Sequence, residues 1–123
     1  MSTTEETRAV LQRWYDEMWF AQNWQLVTEL AGPLYTRHET GGSRTVSAEE
    51  YQEQVKSVCE SVTITDGRYR LVAEGDRVCA VGSWKVDGKQ WDWVQMFRAE
   101  DGKLVETWLT GIAFDSNWDP SVI

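Results

Sequence analysis

The sequence predicts an α+β fold in which three helices come first and pack on a curved antiparallel sheet built from the rest of the chain. Two patterns support this prediction. Up to about residue 60, apolar residues recur at helical intervals behind capping signals, and beyond it short strand-like runs alternate with turn dipeptides. The 123 residues suit one domain over residues 1–123, which can bury a core without disulfides or metal.

Capping signals mark where the helices begin. The first and third helices each open with a Ser or Thr followed three residues later by Glu, namely Thr3 with Glu6 and Ser47 with Glu50. The apolar spacing after the first signal predicts a helix over about residues 4–21. A short second helix is expected from Asn23 to Gly32, where glycine followed by proline ends it.

The strands after residue 60 are separated by four turn dipeptides, which are Asp66-Gly67, Gly75-Asp76, Asp87-Gly88 and Asp101-Gly102. A two-residue loop at the third of these fixes a hairpin whose pairs are Trp84 with Trp91, Gly82 with Trp93, Ala80 with Gln95, and Val78 with Phe97. One face of this hairpin therefore carries three tryptophans, a phenylalanine and a glutamine. The residues opposite Trp93 and Gln95 are small and leave space on that face.

Gln95 is the polar residue on this otherwise apolar face. An unpaired amide there costs about 1–3 kcal/mol, so the glutamine needs a hydrogen-bond partner. The partner is either a bound molecule or Thr107, which a three-residue loop closed by Gly102 places across the ladder. The face is accordingly a filled core or the wall of a ligand pocket.

The opposite face of the strands is apolar in its middle. It carries Val81, Val94 and Met96, and the preferred loop places Trp108 beside Val94. A large exposed ring next to apolar side chains is typical of a protein interface. We therefore predict a homodimer through this outer face.

Composition excludes several kinds of partner. A formal net charge of -8 disfavours binding to a nucleic-acid backbone or an anionic membrane surface. No apolar run approaches the ~20 residues of a membrane-spanning helix, and the acidic start predicts no secretory signal. We therefore expect a cytoplasmic protein. Eight tryptophans indicate an aromatic cavity or an interface, and a small apolar molecule is the expected ligand.

Few residues are suited to bind a metal. The chain has two cysteines, Cys59 and Cys79, without a CxxC spacing, and they are expected to be reduced thiols. His38 is the only histidine, which excludes a site built on several imidazoles. No metal and no cofactor are expected.

The order of elements resembles the nuclear transport factor 2-like superfamily, as do the segments YTRHE, SAEE and FRAEDGKLVETW. This group includes ketosteroid isomerases, limonene epoxide hydrolases, scytalone dehydratases and SnoaL-like polyketide cyclases. The last segment is similar to a recurrent F-R-x-x-x-G-K-[IV]-x-E-x-W pattern of the final hairpin. The resemblance implies a cone, in which a curved sheet wraps around helices and encloses an elongated pocket. It specifies the fold better than the chemistry.

The ketosteroid isomerase pattern implies three site positions. The resemblance places His38 where those enzymes keep the carboxylate that moves the proton, Gln95 where they keep the acid that donates to the oxyanion, and Trp14 where they keep the tyrosine donor. A histidine can act as a base at neutral pH, and an amide can donate to an oxyanion more weakly than an acid. Because all three residues differ from that pattern, a steroid isomerase is not expected.

Two other groups of relatives imply different sites. Limonene epoxide hydrolases need an Arg and two Asp inside the cone, whereas the predicted register puts Asp92 and Arg98 on the outer face. SnoaL-like cyclases keep an Asp shortly after the tryptophan of the last hairpin. The corresponding residue here is Asp115, which comes later than that pattern places it.

We therefore expect a small-molecule enzyme of SnoaL-like or isomerase type that acts on an aromatic or polycyclic carbonyl compound. His38 would accept a proton next to the carbonyl and Gln95 would polarise it, giving isomerisation, cyclisation or dehydration. The remaining candidates are Asp115 for catalysis and Trp14, Tyr15, Trp84, Trp91, Trp93 and Thr107 for ligand binding. The alternative is a non-catalytic binding module or dimeric scaffold of the same fold. A cavity shared by His38 and Gln95 would favour the enzyme.

Overall fold

A computed structural model describes residues 2–123, without the side chains of residues 110, 111 and 122. Its helices are α1 (Thr4–Arg13), α2 (Val27–Leu30) and α3 (Ala48–Ser61). A π-helical segment, Trp14–Trp19, continues α1, and short 3₁₀ turns occupy Trp24–Leu26 and Pro120–Val122. The strands are β1 (Ala31–Glu39), β2 (Gly42–Ser47), β3 (Ile64–Glu74), β4 (Arg77–Val86), β5 (Lys89–Glu100) and β6 (Lys103–Ala113). The predicted α+β class is confirmed.

Both predicted capping signals start helices. The Oγ1 of Thr3 accepts from the backbone N of Glu6 at 3.1 Å, and the backbone N of Thr3 donates to Glu6 Oε1 at 2.9 Å. Ser47 Oγ accepts from the backbone N of Glu50 at 3.1 Å at the start of α3. These bonds satisfy backbone donors that a helix start leaves without intrahelical partners.

The first helix does not stay α-helical to residue 21. It widens into the π-helical segment, where the backbone N of Phe20 donates to the carbonyl of Tyr15, five residues earlier, at 2.8 Å. A π turn inserts an extra residue into the helix, and such turns occur frequently at functional sites. Trp14, Tyr15 and Met18 lie in this segment, and all three are buried.

The six strands form one curved, unclosed sheet in the order β2-β1-β6-β5-β4-β3. The prediction of a fully antiparallel sheet is wrong at one pair, because β1 runs parallel to β6. These two strands are far apart in the sequence, and the long intervening chain permits a parallel pairing that a tight turn cannot make. The other four strand pairs are antiparallel.

The predicted hairpin between β4 and β5 is confirmed in every pair. Trp84 lies opposite Trp91, and Gly82 lies opposite Trp93. Its loop residues Asp87 and Gly88 have φ values of 50° and 84°, the left-handed conformations of a type I′ turn. An Asp-Gly loop therefore determined the register of this hairpin.

The next hairpin differs from the prediction. Its loop has two residues, since Glu100 pairs with Lys103, and a bulge follows between the Ala99–Leu104 and Arg98–Glu106 pairs. The shorter loop and the bulge each move the partners by one residue, so the predicted faces are kept while the partners differ by two residues. Thr107 lies opposite Phe97, Leu109 lies opposite Gln95, and Trp108 lies opposite Met96 rather than Val94.

The core lies between the helices and the inner face of the sheet. Its most deeply buried large side chains are Trp14, Tyr15, Tyr35 and Phe97, each at 2 % exposure or less. Among the described residues, no helix is long and apolar enough to cross a membrane. Helices α1 and α3 cover the inner face of the sheet, whereas among the described residues most of the outer face is not covered by a helix.

The chain after β6 folds back across the outer face. The backbone N of Ser116 donates to the carbonyl of Gln90 at 2.8 Å, and Gln90 Nε2 donates to the carbonyl of Trp118 at 2.7 Å. Beneath this tail, defined as residues 114–123, the side chain of Asp92 has no exposed surface. Its carboxylate accepts hydrogen bonds from Gln90, Ser83 and Ser116, so the tail covers and satisfies a buried charge.

We expect acid, or neutralisation of Asp92, to release this tail. Burial alone would raise the pKa of Asp92, but hydrogen bonds from Ser116, Ser83 and Gln90 lower it below the usual 3.8. A carboxyl group with a lowered pKa stabilises the folded state above its unfolded value, and this contribution is lost as the pH falls through the folded pKa. Asp92→Asn at neutral pH should therefore speed amide hydrogen exchange in residues 114–121, while Asp115→Asn at an exposed position should not. Equal exchange in both variants would contradict the proposed anchoring.

Candidate functional site

A cavity of about 470 Å³ opens between the first helix, α3 and the inner face of the sheet. Its walls are mainly aromatic and come from Trp14, Tyr15, Trp19, Tyr51, Trp84, Trp91 and Trp93. Polar side chains at the wall are Arg37, Gln54, Ser57, Ser61 and Gln95, and apolar residues such as Leu109 and Ile112 complete it. Five of the predicted ligand-binding residues and Gln95 thus line one cavity, and their roles in binding stay predictions.

The aromatic wall is held together by ring contacts and one hydrogen bond. The ring centroids of Trp84 and Trp93 are 4.7 Å apart, and those of Tyr15 and Trp93 are 5.7 Å apart. Trp93 Nε1 donates to the hydroxyl oxygen of Tyr15 at 3.1 Å. Burial raises the pKa of Tyr15 well above its ordinary value, so the hydroxyl keeps its hydrogen and can donate to another acceptor.

Gln95 is fixed from behind by a buried threonine. Its Nε2 donates to Thr107 Oγ1 at 2.8 Å, and Thr107 Oγ1 donates to the carbonyl of Met96 at 3.0 Å. This orients the amide, while its second hydrogen and its Oε1 make no further hydrogen bond among the described residues. Thr107 itself is fully buried and does not line the cavity, so its predicted contact with ligand is corrected to support of Gln95.

The indole nitrogen of Trp84 is a buried donor. Among the described residues, Nε1 of Trp84 has no hydrogen-bond partner, although the side chain belongs to the cavity wall. An N–H group buried without an acceptor costs about 1–3 kcal/mol. The nitrogen has almost no accessible surface, so other atoms of the Trp84 side chain form the cavity wall.

Arg37 is a cavity residue that the sequence analysis did not select. Its Nε lies 2.7 Å from Glu39 Oε1, and its guanidinium stacks over the ring of Tyr51 at 4.8 Å. The signal was strand alternation, because the buried Tyr35 sets the inward parity on β1 and Arg37 shares it. Arg37 is the one charged side chain among the described residues that line the cavity.

His38 does not reach the cavity. On β1 it points to the outer face, where Nε2 lies 2.6 Å from Glu106 Oε2 and Nδ1 lies 2.7 Å from Ser43 Oγ. Its ring stacks on Trp108 with centroids 5.2 Å apart. The expectation that His38 faces a common cavity with Gln95 is wrong. Neighbouring residues of a strand point to opposite faces, and Arg37 next to His38 is the one that lines the cavity.

Asp115 also lies outside the cavity. It is an exposed residue at a turn in the tail, with a φ of 52°, and it does not belong to the cavity wall. The chain leaves β6 alongside β5 and then crosses the outer face, which carries Asp115 away from the pocket. Its predicted catalytic position is therefore corrected.

The cavity contains hydrogen-bond donors but no Asp, Glu or His among its described lining residues. Asp92 and Arg98 lie on the outer face as predicted, so the arginine and aspartates of an epoxide hydrolase are not assembled inside. Within the described part of the chain, no three His, Cys, Asp or Glu side chains form a cluster that could hold a metal ion. The site can thus donate to an acceptor but supplies no carboxylate or imidazole as a base.

Comparison with known proteins identifies the family. A model of the SnoaL-like domain matches residues 11–107. The chain belongs to the SnoaL-like domain family. No curated protein matches the sequence. The match runs from the end of α1 into β6 and includes most residues of the cavity wall, in agreement with the nuclear transport factor 2-like fold.

Solved structures share this fold at low sequence identity. A candidate ketosteroid isomerase from Kribbella flavida aligns with a TM-score of 0.75 and 14% identity, covering 95% of this chain and 83% of that one. A candidate polyketide cyclase from Acidithiobacillus ferrooxidans gives 0.71 and 20%, covering 88% and 89%. An LEH-like epoxide hydrolase from M. tuberculosis gives 0.69 and 12%, covering 90% and 84%. These similarities establish the fold of this SnoaL-like domain and leave its reaction open.

Proposed function

We propose that this SnoaL-like domain binds a flat, largely apolar molecule that carries a hydrogen-bond acceptor such as a carbonyl oxygen. The observation that carries the proposal is the combination of an aromatic cavity with donors and no base. Tyr15, through its hydroxyl, and Gln95, through its amide, supply the donors of the cavity wall. A cavity of about 470 Å³ is within the usual size range for small-molecule sites.

Proton abstraction next to a carbonyl, as in the isomerases and cyclases, is the second candidate. It is favoured by Tyr15 and Gln95, whose donors suit an oxygen that gains negative charge. It lacks a base, because His38 lies on the outer face and no carboxylate lines the cavity among the described residues. Binding without turnover therefore has the stronger physical support.

Titration calorimetry with 2-acetylnaphthalene tests the binding proposal. This probe is flat and apolar, and it carries one carbonyl acceptor; naphthalene has the same rings without the acceptor. Gln95→Leu should weaken binding of the ketone about fivefold to tenfold, the loss of one hydrogen bond of about 1 kcal/mol. Binding of naphthalene should stay nearly the same.

The matched control is Gln12→Leu, the same exchange on the exposed side of α1. It should change the affinity for neither probe. If the wild-type protein binds neither compound, or if Gln95→Leu weakens both equally, the donor role of Gln95 is rejected. Turnover of a ketone with an acidic α-hydrogen, measured as exchange of that hydrogen for deuterium, would instead favour the proton-transfer reaction.

We also propose that the outer face forms a homodimer through Val81, Val94, Met96 and Trp108. Val94 is 54% exposed at the middle of β5, where a partner would cover it. Val94→Glu should shift the mass in sedimentation velocity from dimer to monomer because it would bury a charge at the interface. Val72→Glu, on the edge strand β3 at 74% exposure, is the control. A wild-type protein that sediments as a monomer would reject the dimer.

A further inference from the structure

Three polar side chains lie in a row across neighbouring strands on the outer face. Ser43 on β2 is the cross-strand partner of His38 on β1, and Glu106 lies beside them on β6. Ser43 Oγ is 2.7 Å from His38 Nδ1, and His38 Nε2 is 2.6 Å from Glu106 Oε2. The order hydroxyl, imidazole, carboxylate is the arrangement that activates serine as a nucleophile.

The charge on Glu106 sets the direction of the hydrogen bond between His38 and Glu106. Burial alone would raise the pKa of Glu106, but hydrogen bonds from His38 and Arg98 lower it. Arg98 Nε donates to the other carboxylate oxygen, Oε1, at 2.8 Å. An ionised carboxylate can only accept, so His38 Nε2 carries the hydrogen of this bond.

The direction of the hydrogen bond to Ser43 depends on the imidazole of His38. In a neutral imidazole with hydrogen on Nε2, Nδ1 is an acceptor, so the hydroxyl of Ser43 donates to it. The stack of Trp108 on the imidazole, at 5.2 Å between centroids, restricts the plane of the ring. Ser43 is exposed, whereas Glu106 is partly covered. The row thus ends in an accessible hydroxyl that is hydrogen-bonded to a base.

We propose that Ser43 is an activated nucleophile that transfers acyl groups from small, reactive esters. Ser43 Oγ attacks the ester carbon while its proton moves to His38 Nδ1. The bond to the leaving alcohol breaks, and His38 returns the proton to that oxygen. Water then attacks the acyl-serine with His38 as base, which releases the carboxylic acid and restores the hydroxyl.

The assignment of roles follows from contact. Ser43 and His38 would be catalytic residues, since they exchange atoms or protons with the ester. Glu106 would be a positioning residue, because it acts through the imidazole. The proposal is independent of the cavity. His38 contacts Trp108 of the proposed dimer face, whereas Ser43 lies on the edge strand β2.

A fluorophosphonate probe tests the nucleophile, because it forms a covalent bond to an activated serine hydroxyl. Peptide mass spectrometry of the folded wild-type protein should find the adduct on Ser43. Protein unfolded in urea should react at least tenfold more slowly, which separates activation in the folded state from general reactivity. Ser121, an exposed serine whose hydroxyl donates to Asp119 Oδ1, is the internal comparison.

Variants test the row itself with p-nitrophenyl acetate as substrate. Ser43→Ala should abolish enzymatic hydrolysis, and Ser121→Ala, at an exposed serine outside the cavity wall, should not change it. Glu106→Gln should lower kcat at least tenfold with little change in KM or in the melting temperature, which a merely structural role would not produce. Labelling of Ser43 no faster than Ser121, or hydrolysis unchanged in Ser43→Ala, would overturn the proposal.

Discussion

Replacing Gly82 by alanine should lower the free energy of unfolding by about 1–3 kcal/mol, the usual cost of forcing extra volume into a packed core. An added Cβ at this position would lie 2.2 Å from Cζ2 of Trp93. Trp93 is 4% exposed and hydrogen-bonded to Tyr15, so the ring cannot move away freely. Urea denaturation followed by circular dichroism measures this loss.

A second substitution separates the clash from other effects of the change. Trp93→Phe removes the second ring of the indole, which holds the nearest atom to the new Cβ. In that background the cost of Gly82→Ala should become smaller, and the double-mutant cycle should show favourable coupling. Additive losses would mean that Trp93 is not the group that Gly82 accommodates. If the ring moves into the cavity instead, affinity for 2-acetylnaphthalene should fall along with stability.

Gly82 also corrects the interpretation of the space opposite the tryptophans. The small residues of β4 were expected to leave room for a ligand on that face. The room beside Gly82 is occupied by the ring of Trp93 itself. The cavity therefore owes its volume to the separation of the helices from the sheet, and Trp93 forms its floor at this point.

Turn chemistry determined how much of the sheet was predictable. Asp87-Gly88 allows only a few turn types, so each pair of β4 and β5 followed from it. The hairpin at Asp101-Gly102 has the same dipeptide, yet its register differs from the predicted one. The loop is one residue shorter than predicted, and a bulge follows near Val105. The residues around Val105 show no pattern that indicates this bulge. With the bulge in place, both strands keep their apolar side chains on the predicted faces. The side of each residue was predictable there, but its partner was not.

The candidate site was predictable only in part for a similar reason. The aromatic wall and Gln95 followed from hairpin register, which is local. The position of His38 came from the resemblance and conflicted with strand alternation, since Tyr35 is buried and His38 has the opposite parity. The structure follows strand alternation, so His38 lies on the outer face. Tyr15 was selected because it lies next to Trp14 on the first helix, but the π-helical segment that carries both residues was not predicted.

These differences change the interpretation of the relatives. His38, which the resemblance placed at the position of a proton-moving carboxylate, faces away from the cavity. The donors remain at the wall while the base is missing among its described residues. A site of this kind stabilises an acceptor oxygen in the ground state, which favours binding, whereas catalysis needs interactions that strengthen in the transition state.

Tyr15→Phe should then affect both stability and ligand affinity. The variant removes the oxygen that accepts from Trp93 Nε1 and leaves this buried N–H without a partner, at a cost of about 1–3 kcal/mol. Tyr51→Phe is the stability control, because it removes another hydroxyl from a buried tyrosine of the same cavity. Urea denaturation should show a clearly larger loss for Tyr15→Phe.

The ligand measurement gives this variant its functional meaning. If the Tyr15 hydroxyl donates to the bound carbonyl, Tyr15→Phe should weaken 2-acetylnaphthalene about tenfold and naphthalene much less. Because burial raises the pKa of Tyr15, the hydroxyl stays protonated and the wild-type affinity should not change between pH 7 and 9. A loss of affinity across that range would show that a group other than Tyr15 titrates there and controls binding. Equal weakening of both probes would mean that the variant distorts the aromatic wall, and the donor role would then rest on Gln95 alone.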